Sequence, residues 1–539
     1  MRFLPLFALA ALVPWCSSGQ SAAKPNMAPT PPMGWNSWEA FRKDVSEDAI
    51  KAQADAMVRL GLRDAGYRYV VIDGGWKTSQ RDASGNIVAD PQKFPHGMKA
   101  LADYVHSLGM KFGVHQPAGI KDCGHDEPGS EGHEERDAAL FASWDFDFVK
   151  LDQCDYVHDP KMLPGAPNLD KITVRNAGGA VFSAEAEAPG NKLKGMARVA
   201  ECERCSGGKD VAAIGYGGGA VELAARVPEA GRYTVEIQFE YPYYGQNRDH
   251  FRQMTFFLSA NGGERKRIDV PYEIAKRYTT GTVSSEIALK RGNNTILLDN
   301  PLSQEDDVRI SYEKMGHALE QHGREIMFST SGAPRPWLWA QPVAQMCRTA
   351  GDIQNRWSSI MTTLDRHADV ARFAAPNFWP DPDMLEVGAP PRAQRGSKAA
   401  TVLTLTEQRT QFSLWAIMNT PLFISADLRH LSDAAKAILL NREAIAIDQD
   451  FAYGAGRRIR SEGGMEMFAK RLKDGMAVAL LNRNESPAEI RVTAAELGMG
   501  KSAFESRDVW TGKSQRIANG VVSAVVEAHG VKMFRLRRD

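Results

Sequence analysis

Phe146-Asp-Phe-Val-Lys-Leu-Asp152 is a short apolar run rich in β-forming residues, and two earlier runs have the same form. They are Tyr69-Val-Val-Ile-Asp73 and Lys111-Phe-Gly-Val-His115, and stretches with helical spacing lie at Glu47–Leu60 and Met98–Leu108. Strands that are apolar throughout are buried on both faces, which is typical of a parallel sheet covered by helices. The alternation therefore predicts an α/β fold whose sheet closes into a (β/α)8 (TIM) barrel.

The strand-and-helix pattern is interrupted once and then resumes. Between 155 and 310 the chain shows period-two alternation and Gly-rich turns, which predict a β-sandwich inserted into the barrel. Helical spacing returns at Ser311–His322, and strands and turns dominate from Phe451 onward. We therefore predict a barrel in two parts (28–154 and 311–450), the inserted β-sandwich (155–310) and a C-terminal antiparallel β-sandwich domain (451–539). Loops that follow barrel strands surround the active site, so the insert should overhang the substrate entrance.

The composition is that of an ordinary globular protein. Of the 539 residues, 43% are hydrophobic and 24% charged, which excludes disorder, collagen and coiled coil as descriptions of the whole chain. The 66 basic residues balance the 66 acidic ones, so there is no general attraction to nucleic acid or to an anionic membrane. Neutral, sugar-like partners fit this charge balance better.

The N-terminus has the form of a secretory signal peptide, which we assign to residues 1–22. Arg2 precedes the apolar run Phe3–Trp15, and small polar residues follow from Ser17 to Ala23. A membrane span needs about 20 apolar residues, so this run is too short to act as an anchor. We expect an exported protein, periplasmic or extracellular, without a membrane span.

Because exported proteins can form disulfides, we expect cysteines of this chain to pair. Removal of the signal peptide leaves five cysteines, so at least one is unpaired within the chain. Cys202 and Cys205 have the spacing of a zinc knuckle, but no second pair with that spacing completes four ligands. A local disulfide between them is the favoured interpretation.

Three carboxylates stand where apolar runs end: Asp73, Asp152 and Asp352. Carboxylates at the C-terminal ends of barrel strands point into the mouth of the barrel. A retaining glycosidase uses two such groups about 5–5.5 Å apart, one as nucleophile and one as acid/base. An aspartate in such a position is also a common helix cap or turn residue, so these residues alone leave both interpretations open.

Five motifs make the comparison more specific. In chain order they are Thr30-Pro-Pro-Met-Gly-Trp-Asn-Ser-Trp38, Val149-Lys-Leu-Asp-Gln-Cys154, Arg348-Thr-Ala-Gly-Asp-Ile353, Asp381-Pro-Asp-Met-Leu385 and Gln411-Phe-Ser-Leu-Trp-Ala-Ile-Met418. In this order they resemble glycoside hydrolase family 27, the α-galactosidase (melibiase) family. The resemblance covers about 28–154 and 311–539, nearly everything except the signal peptide and the insert.

The resemblance implies a retaining exo-α-glycosidase that needs no cofactor for catalysis and acts on an oligosaccharide or polysaccharide. It makes Asp152 the nucleophile and Asp352 the acid/base, and it implies a disulfide between Cys123 and Cys154 beside the nucleophile. The positive charge of Lys150, two residues before Asp152 on the same strand face, would help keep the nucleophile ionised. The residues that the resemblance places around the substrate are Trp35 (as an aromatic wall), Asp73, His115, Lys150, Ser331, Arg348 and Asp383.

The sequence departs from the family pattern around the sugar. Galactose-active members carry two adjacent aspartates at the first site, whereas this chain has Asp73 followed by Gly74. Gly75 replaces a cysteine, His115 a tyrosine, and Ser331 a glutamate. Drift within α-galactosidases explains these changes, but so does an altered substrate. The open position where O6 of the sugar would lie resembles the site of the isomalto-dextranases. The small residue at position 331 resembles the site of the α-N-acetylgalactosaminidases. A carbohydrate-binding protein on a degenerate barrel is the non-enzymatic alternative.

The insert resembles family 35 carbohydrate-binding modules. The matching segments are Ala184-Glu-Ala-Glu187 near its start and Gly292-Asn-Asn-Thr-Ile-Leu297 near its end. The resemblance implies a structural calcium ion with Glu185 and Glu187 as ligands. Tyr241-Pro-Tyr-Tyr244, with Asn247 nearby, is a candidate sugar-stacking face, although aromatic residues in a sandwich are more often core.

Overall fold

The structure is a computed structural model that describes residues 26–154, 166–215, 218–240, 254–270, 280–301, 304–393, 400–500 and 503–538. The predicted signal peptide (1–22) and the candidate stacking face at Tyr241–Tyr244 with Asn247 lie outside these ranges. Within them, no helix combines the length and the apolar character that crossing a membrane requires.

The first part of the barrel alternates strands and helices. Its elements are β1 (Met33–Asn36), α1 (Trp38–Phe41), α2 (Glu47–Arg59), α3 (Leu62–Ala65), β2 (Tyr69–Ile72), α4 (Gly97–Ser107), β3 (Lys111–Pro117), α5 (Glu134–Ser143) and β4 (Phe148–Asp152). The Ser46 hydroxyl caps α2 by accepting a hydrogen bond from the Ala49 amide, as its place before Glu47 predicts. Gly61 follows α2 with a φ of 80°, a conformation that glycine adopts without a Cβ penalty.

An antiparallel β-sandwich follows β4. Its strands are β5 (Asn168–Asn176), β6 (Gly179–Glu185), β7 (Lys192–Lys194), β8 (Arg198–Glu201), β9 (Lys209–Ala212), β10 (Ala220–Val227), β11 (Gly231–Glu240), β12 (Met254–Ala260), β13 (Lys266–Val270), β14 (Thr280–Leu289) and β15 (Gly292–Asp299). One sheet has the order β13-β12-β15-β10-β7, and the other has the order β14-β11-β5-β9-β8 with β6 beside β5. Alternate side chains such as Ile237, Phe239, Phe256 and Leu298 are fully buried in the core of this sandwich.

The second part of the barrel begins with a long helix. Its elements are α6 (Gln304–Gln321), β16 (Met327–Ser331), β17 (Met346–Arg348), α7 (Trp357–Ala368), β18 (Trp379–Asp381), β19 (Arg392–Ala393), β20 (Ala400–Thr401), α8 (Leu405–Ile417), β21 (Leu422–Ile424), α9 (Asp433–Leu439) and α10 (Arg442–Gln449). Eight parallel strands pair in the order β18-β17-β16-β4-β3-β2-β1-β21. A parallel bridge between Leu385, just after β18, and Ile424 of β21 joins the two ends. The predicted (β/α)8 barrel is thus confirmed.

The C-terminal residues form a second antiparallel domain. Its strands are β22 (Arg457–Glu462), β23 (Met465–Leu472), β24 (Gly475–Asn482), β25 (Ala488–Thr493), β26 (Phe504–Asp508), β27 (Ser514–Ile517), β28 (Val521–Val526) and β29 (Val531–Arg538). A six-stranded sheet, β22-β23-β24-β29-β26-β27, accompanies the pair β25-β28, and Met467, Val492 and Phe534 are buried in their shared core. The predicted C-terminal antiparallel β-sandwich is also confirmed.

Candidate active site

Two charged side chains of β4 face the inside of the barrel. Lys150 and Asp152 lie two residues apart, so they share one face of the strand, while Val149 and Leu151 point to the helix layer and are fully buried there. The Lys150 ammonium lies 3.3 Å from Oδ2 of Asp73, which follows β2. Asn36 of β1 donates a hydrogen bond of 3.1 Å to the same oxygen. Three strands of the barrel thus bring their polar residues together at the mouth.

His115 of β3 contacts the predicted nucleophile directly. It pairs in register with Lys150, and its Nε2 lies 3.4 Å from Oδ2 of Asp152. Its ring is 5% exposed, and Nδ1 is buried without a hydrogen-bond partner in the described structure. The sequence predicted His115 as a substrate-binding residue, and the structure adds a contact with Asp152 that the sequence did not reveal.

The electrostatic environment keeps the two mouth carboxylates ionised. Burial disfavours the charged form of Asp152, but the His115 hydrogen bond and the charges of Lys150 and Arg348 outweigh it and hold its pKa far below the ordinary value. For Asp73, burial is likewise outweighed by the Lys150 charge and by hydrogen bonds, and its pKa is lowered to about 2. An ionised Asp152, with 23% of its side chain exposed, has the charge that a nucleophile requires.

Arg348, the last residue of β17, links an exposed carboxylate to a buried one. Its Nη2 lies 2.7 Å from Oδ1 of Asp352 and 2.5 Å from Oδ2 of Asp383. The Asp352 side chain is 89% exposed, whereas those of Arg348 and Asp383 are 5% and 3% exposed. Asp352 is therefore available to solvent at the rim, and Arg348 holds it from below.

Asp383 is fixed by its own backbone surroundings. Its two carboxylate oxygens accept hydrogen bonds from the amides of Ile353 and Met384, and its φ of 99° is unusual for a residue other than glycine. Burial raises its pKa despite the neighbouring Arg348. Asp383, Arg348 and Lys150 line a cavity of about 30 Å³ inside the barrel. The structure thus gives Asp383 a supporting position beneath Arg348.

The prediction of Trp35 as the aromatic wall is wrong, because this residue is fully buried. Its neighbour Asn36 faces the barrel interior, so alternation along β1 turns Trp35 toward the helix layer, where its Nε1 donates to the carbonyl of Ala426. Trp38, at the start of α1, is only half-buried, and its Cζ3 lies 3.8 Å from the position that a Cβ on Gly74 would occupy. Trp38 is therefore the aromatic residue beside Gly74, the position at which the family carries its second aspartate.

The glycines at the mouth have steric reasons. A Cβ on Gly75 would lie 2.5 Å from the backbone of Lys43, and Gly75 has a φ of 96°, so this position cannot hold the cysteine that the family carries. Ser331, at the end of β16, is buried and pairs in register with Asp152. The next residue, Gly332, has a φ of 75°, and a Cβ there would lie 3.2 Å from Oδ1 of Asp152. Gly332 was not predicted as a site residue, because its only signal in the sequence is its place after a strand.

The disulfides agree with the sequence analysis. Cys123 and Cys154 are bonded beside Asp152, and the Cys154 amide donates to the carbonyl of Asp152 at 3.0 Å. Cys202 and Cys205 are bonded to each other, and Cys347 is a buried free thiol.

The residues predicted to bind calcium are only partly free to do so. Oε1 of Glu185 pairs with the Lys171 ammonium at 2.7 Å, while Oε2 of Glu187 is buried and has no hydrogen-bond partner among the described residues. One group of four potential metal ligands exists in the described ranges: Cys202, Cys205, Asp210 and Glu240. Its two cysteines are already bonded to each other, so they offer no thiolate. A calcium ion held by Glu185 and Glu187 stays a prediction.

Two family models match the chain. The model of the family "Alpha galactosidase A" matches residues 30–202 and 286–450, and the model "Alpha galactosidase C-terminal beta sandwich domain" matches 462–536. The interruption of the first match falls within the inserted sandwich. More than half of the chain is therefore covered by one family model.

Individual relatives extend over nearly the whole chain. Alpha-galactosidase 2 of Arabidopsis thaliana is 30% identical over 516 residues, which are 95% of this chain and 90% of the relative. Alpha-galactosidase A of Cellvibrio japonicus is 30% identical over 535 residues, 95% of this chain and 92% of the relative. The crystal structure of alpha-galactosidase I from Mortierella vinacea has the same fold, with a TM-score of 0.64 and 22% identity over 94% of this chain and 97% of that one. The protein belongs to the α-galactosidase A family of glycoside hydrolases.

Proposed function

We propose that this protein is an exo-acting α-galactosidase that removes terminal α-D-galactosyl residues with retention of anomeric configuration. One observation carries the proposal: the mouth holds both an ionised, partly exposed Asp152 and an exposed Asp352 that Arg348 holds at the rim. The relatives that extend over most of the chain are α-galactosidases, which supports this substrate.

The mechanism has two displacement steps. In the first, a carboxylate oxygen of Asp152 attacks the anomeric carbon while the Asp352 carboxyl gives its proton to the departing glycosidic oxygen. In the second, the Asp352 carboxylate takes a proton from water, and the resulting hydroxyl attacks the anomeric carbon and releases Asp152. His115 and Lys150 stabilise the returning charge on Asp152, since both lie on the side of this carboxylate.

Site-directed variants separate the two roles. With an aryl α-galactoside, we expect Asp152→Asn to lose turnover by at least a thousandfold and to resist labelling by a mechanism-based fluorosugar. Asp352→Ala should retain activity on substrates with very good leaving groups, because an activated phenol needs little protonation. It should lose activity on substrates with poor leaving groups. Asp48→Asn, an exposed carboxylate on α2, is the matched control and should behave like the parent protein. Release of the inverted sugar, observed by NMR, would refute the retaining mechanism.

One observation supports a second substrate class. Among the described residues, a Cβ on Gly74 would have only the edge of Trp38 within 4 Å, and Gly74 has no carboxylate to bind O6 as the family's second aspartate would. This opening suits an O6-linked α-glucan, as in the isomalto-dextranase alternative. Parallel assays on an aryl α-galactoside, dextran and an aryl α-N-acetylgalactosaminide decide among the substrates. Release of isomaltose from dextran without galactosidase activity would replace the first proposal with the second.

We also propose that the protein is exported and that its insert binds sugar polymer. Two disulfides, Cys123–Cys154 and Cys202–Cys205, are compatible with an oxidising compartment outside the cytoplasm. The sandwich follows β4, which ends with Asp152 at the mouth of the barrel. Removal of residues 156–308 should weaken binding to galactomannan more than turnover of a small aryl galactoside. Equal losses on both substrates would leave the insert as a structural lid.

A further inference from the structure

A second cleft lies far from the catalytic residues, between the barrel and the C-terminal domain. It has a volume of about 1160 Å³, and we call it the interdomain cleft. Its chemically distinctive lining residues are Asp369, Arg372, Tyr453, Arg457, Arg471 and Lys473. Asp369 and Arg372 follow α7, which runs back from the C-terminal end of β17. The cleft therefore opens at the end of the barrel opposite the mouth.

The interdomain cleft carries an excess of positive charge. Arg372, Arg457, Arg471 and Lys473 are exposed, and none of them forms an ion pair with another residue in the described ranges. The chain as a whole is neutral, so this excess is a local property of the cleft.

Most carboxylates of the cleft are already neutralised by residues outside it. Asp474 accepts from Arg535 at 2.6 Å and from Arg537 at 2.7 Å, and Glu496 pairs with Arg460 at 2.6 Å. Asp369 is the remaining lining carboxylate without such a partner in the described structure. The four exposed cations thus face one unpaired anion.

An aromatic platform stands among these cations. The Arg471 guanidinium lies 4.1 Å from the centre of the Tyr453 ring, and Tyr453 is still 54% exposed. Stacking fixes the guanidinium while its N–H groups stay available for a carboxylate or sulfate. The exposed part of the ring suits the apolar face of a sugar. A stacking ring beside fixed guanidinium groups is the combination that an acidic saccharide needs.

We propose that the interdomain cleft is a non-catalytic binding site for an anionic saccharide, one that carries carboxylate or sulfate groups. Arg457, Arg471 and Lys473 contact the acidic groups, and Tyr453 contacts a sugar ring. The volume of the cleft accommodates several sugar units, so the ligand is an oligomer or a segment of polymer. The site would attach the enzyme to an acidic matrix while the mouth at the opposite end stays open to substrate.

Binding to polygalacturonate tests this proposal, with the fully methyl-esterified polymer as the uncharged control. We expect the full chain to bind the acidic polymer, to lose affinity as salt rises, and to ignore the esterified one. The double variant Arg457→Ala/Arg471→Ala should weaken binding at least tenfold, and Tyr453→Ala should weaken it severalfold. Turnover of an aryl α-galactoside should be unchanged in both, because neither touches the catalytic mouth.

The matched control removes two exposed arginines from helices of the barrel, Arg59→Ala/Arg442→Ala, which lie outside the interdomain cleft and change the net charge equally. An equal loss in this control, or no loss in the cleft variants, would overturn the proposal. Equal affinity for the esterified polymer would overturn the role of charge. If single-stranded RNA binds as tightly as polygalacturonate and responds to the same variants, the cleft is a general anion site and the assignment to saccharides fails. Dextran sulfate as a second probe establishes whether sulfate replaces carboxylate.

Discussion

Gly332 offers a direct test of how the barrel positions Asp152, the proposed nucleophile. In Gly332→Ala, the new Cβ would lie 2.8 Å from Cβ of Gln153 and 3.2 Å from Oδ1 of Asp152, so the nucleophile or its strand end must shift. The φ of 75° adds strain of about 1–2 kcal/mol, because an L side chain is disfavoured in this region. A displacement of the reacting group by about 1 Å can cost about 100-fold in rate. We therefore expect kcat/KM on an aryl α-galactoside to fall about 100-fold, with a Tm lower by a few degrees.

Gly323→Ala is the matched control for this prediction. Gly323 has a φ of 68°, close to that of Gly332, but no atom of the described residues lies within 4 Å of the position that its Cβ would take. The control should therefore lose a similar amount of stability through strain and keep its turnover. The reasoning is refuted if Gly332→Ala keeps kcat/KM within threefold of the parent protein, or if Gly323→Ala loses as much activity at equal folded fraction.

Three further changes test the charges and the open side of the site. Lys150→Met should raise the pKa of Asp152. Since activity requires the ionised carboxylate, the acidic limb of the pH profile of kcat/KM should move to higher pH, and an unmoved limb would contradict the role of Lys150. Arg348→Ala leaves Asp383 buried without its cation and should lower the free energy of unfolding, measured by urea titration, by about 3–5 kcal/mol. A loss below about 1 kcal/mol would show that the pair is not needed for stability. Gly74→Asp should sharply reduce activity if the enzyme acts on O6-extended glucans, and should leave or improve galactoside turnover if it is an α-galactosidase, as comparison of dextran and an aryl α-galactoside would reveal.

Much of the architecture could be predicted from the sequence because it depends on local patterns. The apolar runs ending at Asp73 and Asp152 occupy their predicted barrel positions, and the helix predicted at Glu47–Leu60 ends one residue earlier than expected. The departure from helical spacing after residue 154 correctly indicated a sandwich, because period-two alternation reports burial on one face of each strand, but α6 begins at Gln304, seven residues before the predicted boundary at 311. Signals of this kind are carried by neighbouring residues, so one chain suffices to detect them.

Interpretation failed where the direction of a single side chain mattered. Trp35 and Trp38 stand three residues apart in one motif, and the predicted aromatic wall, Trp35, is the one that faces the helices. Which of them reaches the pocket depends on where β1 ends and on which face Asn36 shows to Asp73, and both are set by pairing with β2. The residues that contact a sugar therefore cannot be assigned from a motif alone.

The sequence by itself determined the fold class and the order of the domains, and its family resemblance predicted Asp152 and Asp352 as the two catalytic carboxylates. Only the tertiary structure decided how those groups are held: His115 against Asp152, Arg348 between Asp352 and Asp383, and Gly332 beside the nucleophile. The physical reason is the range of each interaction. Strand and helix patterns arise between residues a few positions apart, whereas ionisation and steric fit at the mouth depend on charges and atoms that only the closed barrel brings within a few ångströms.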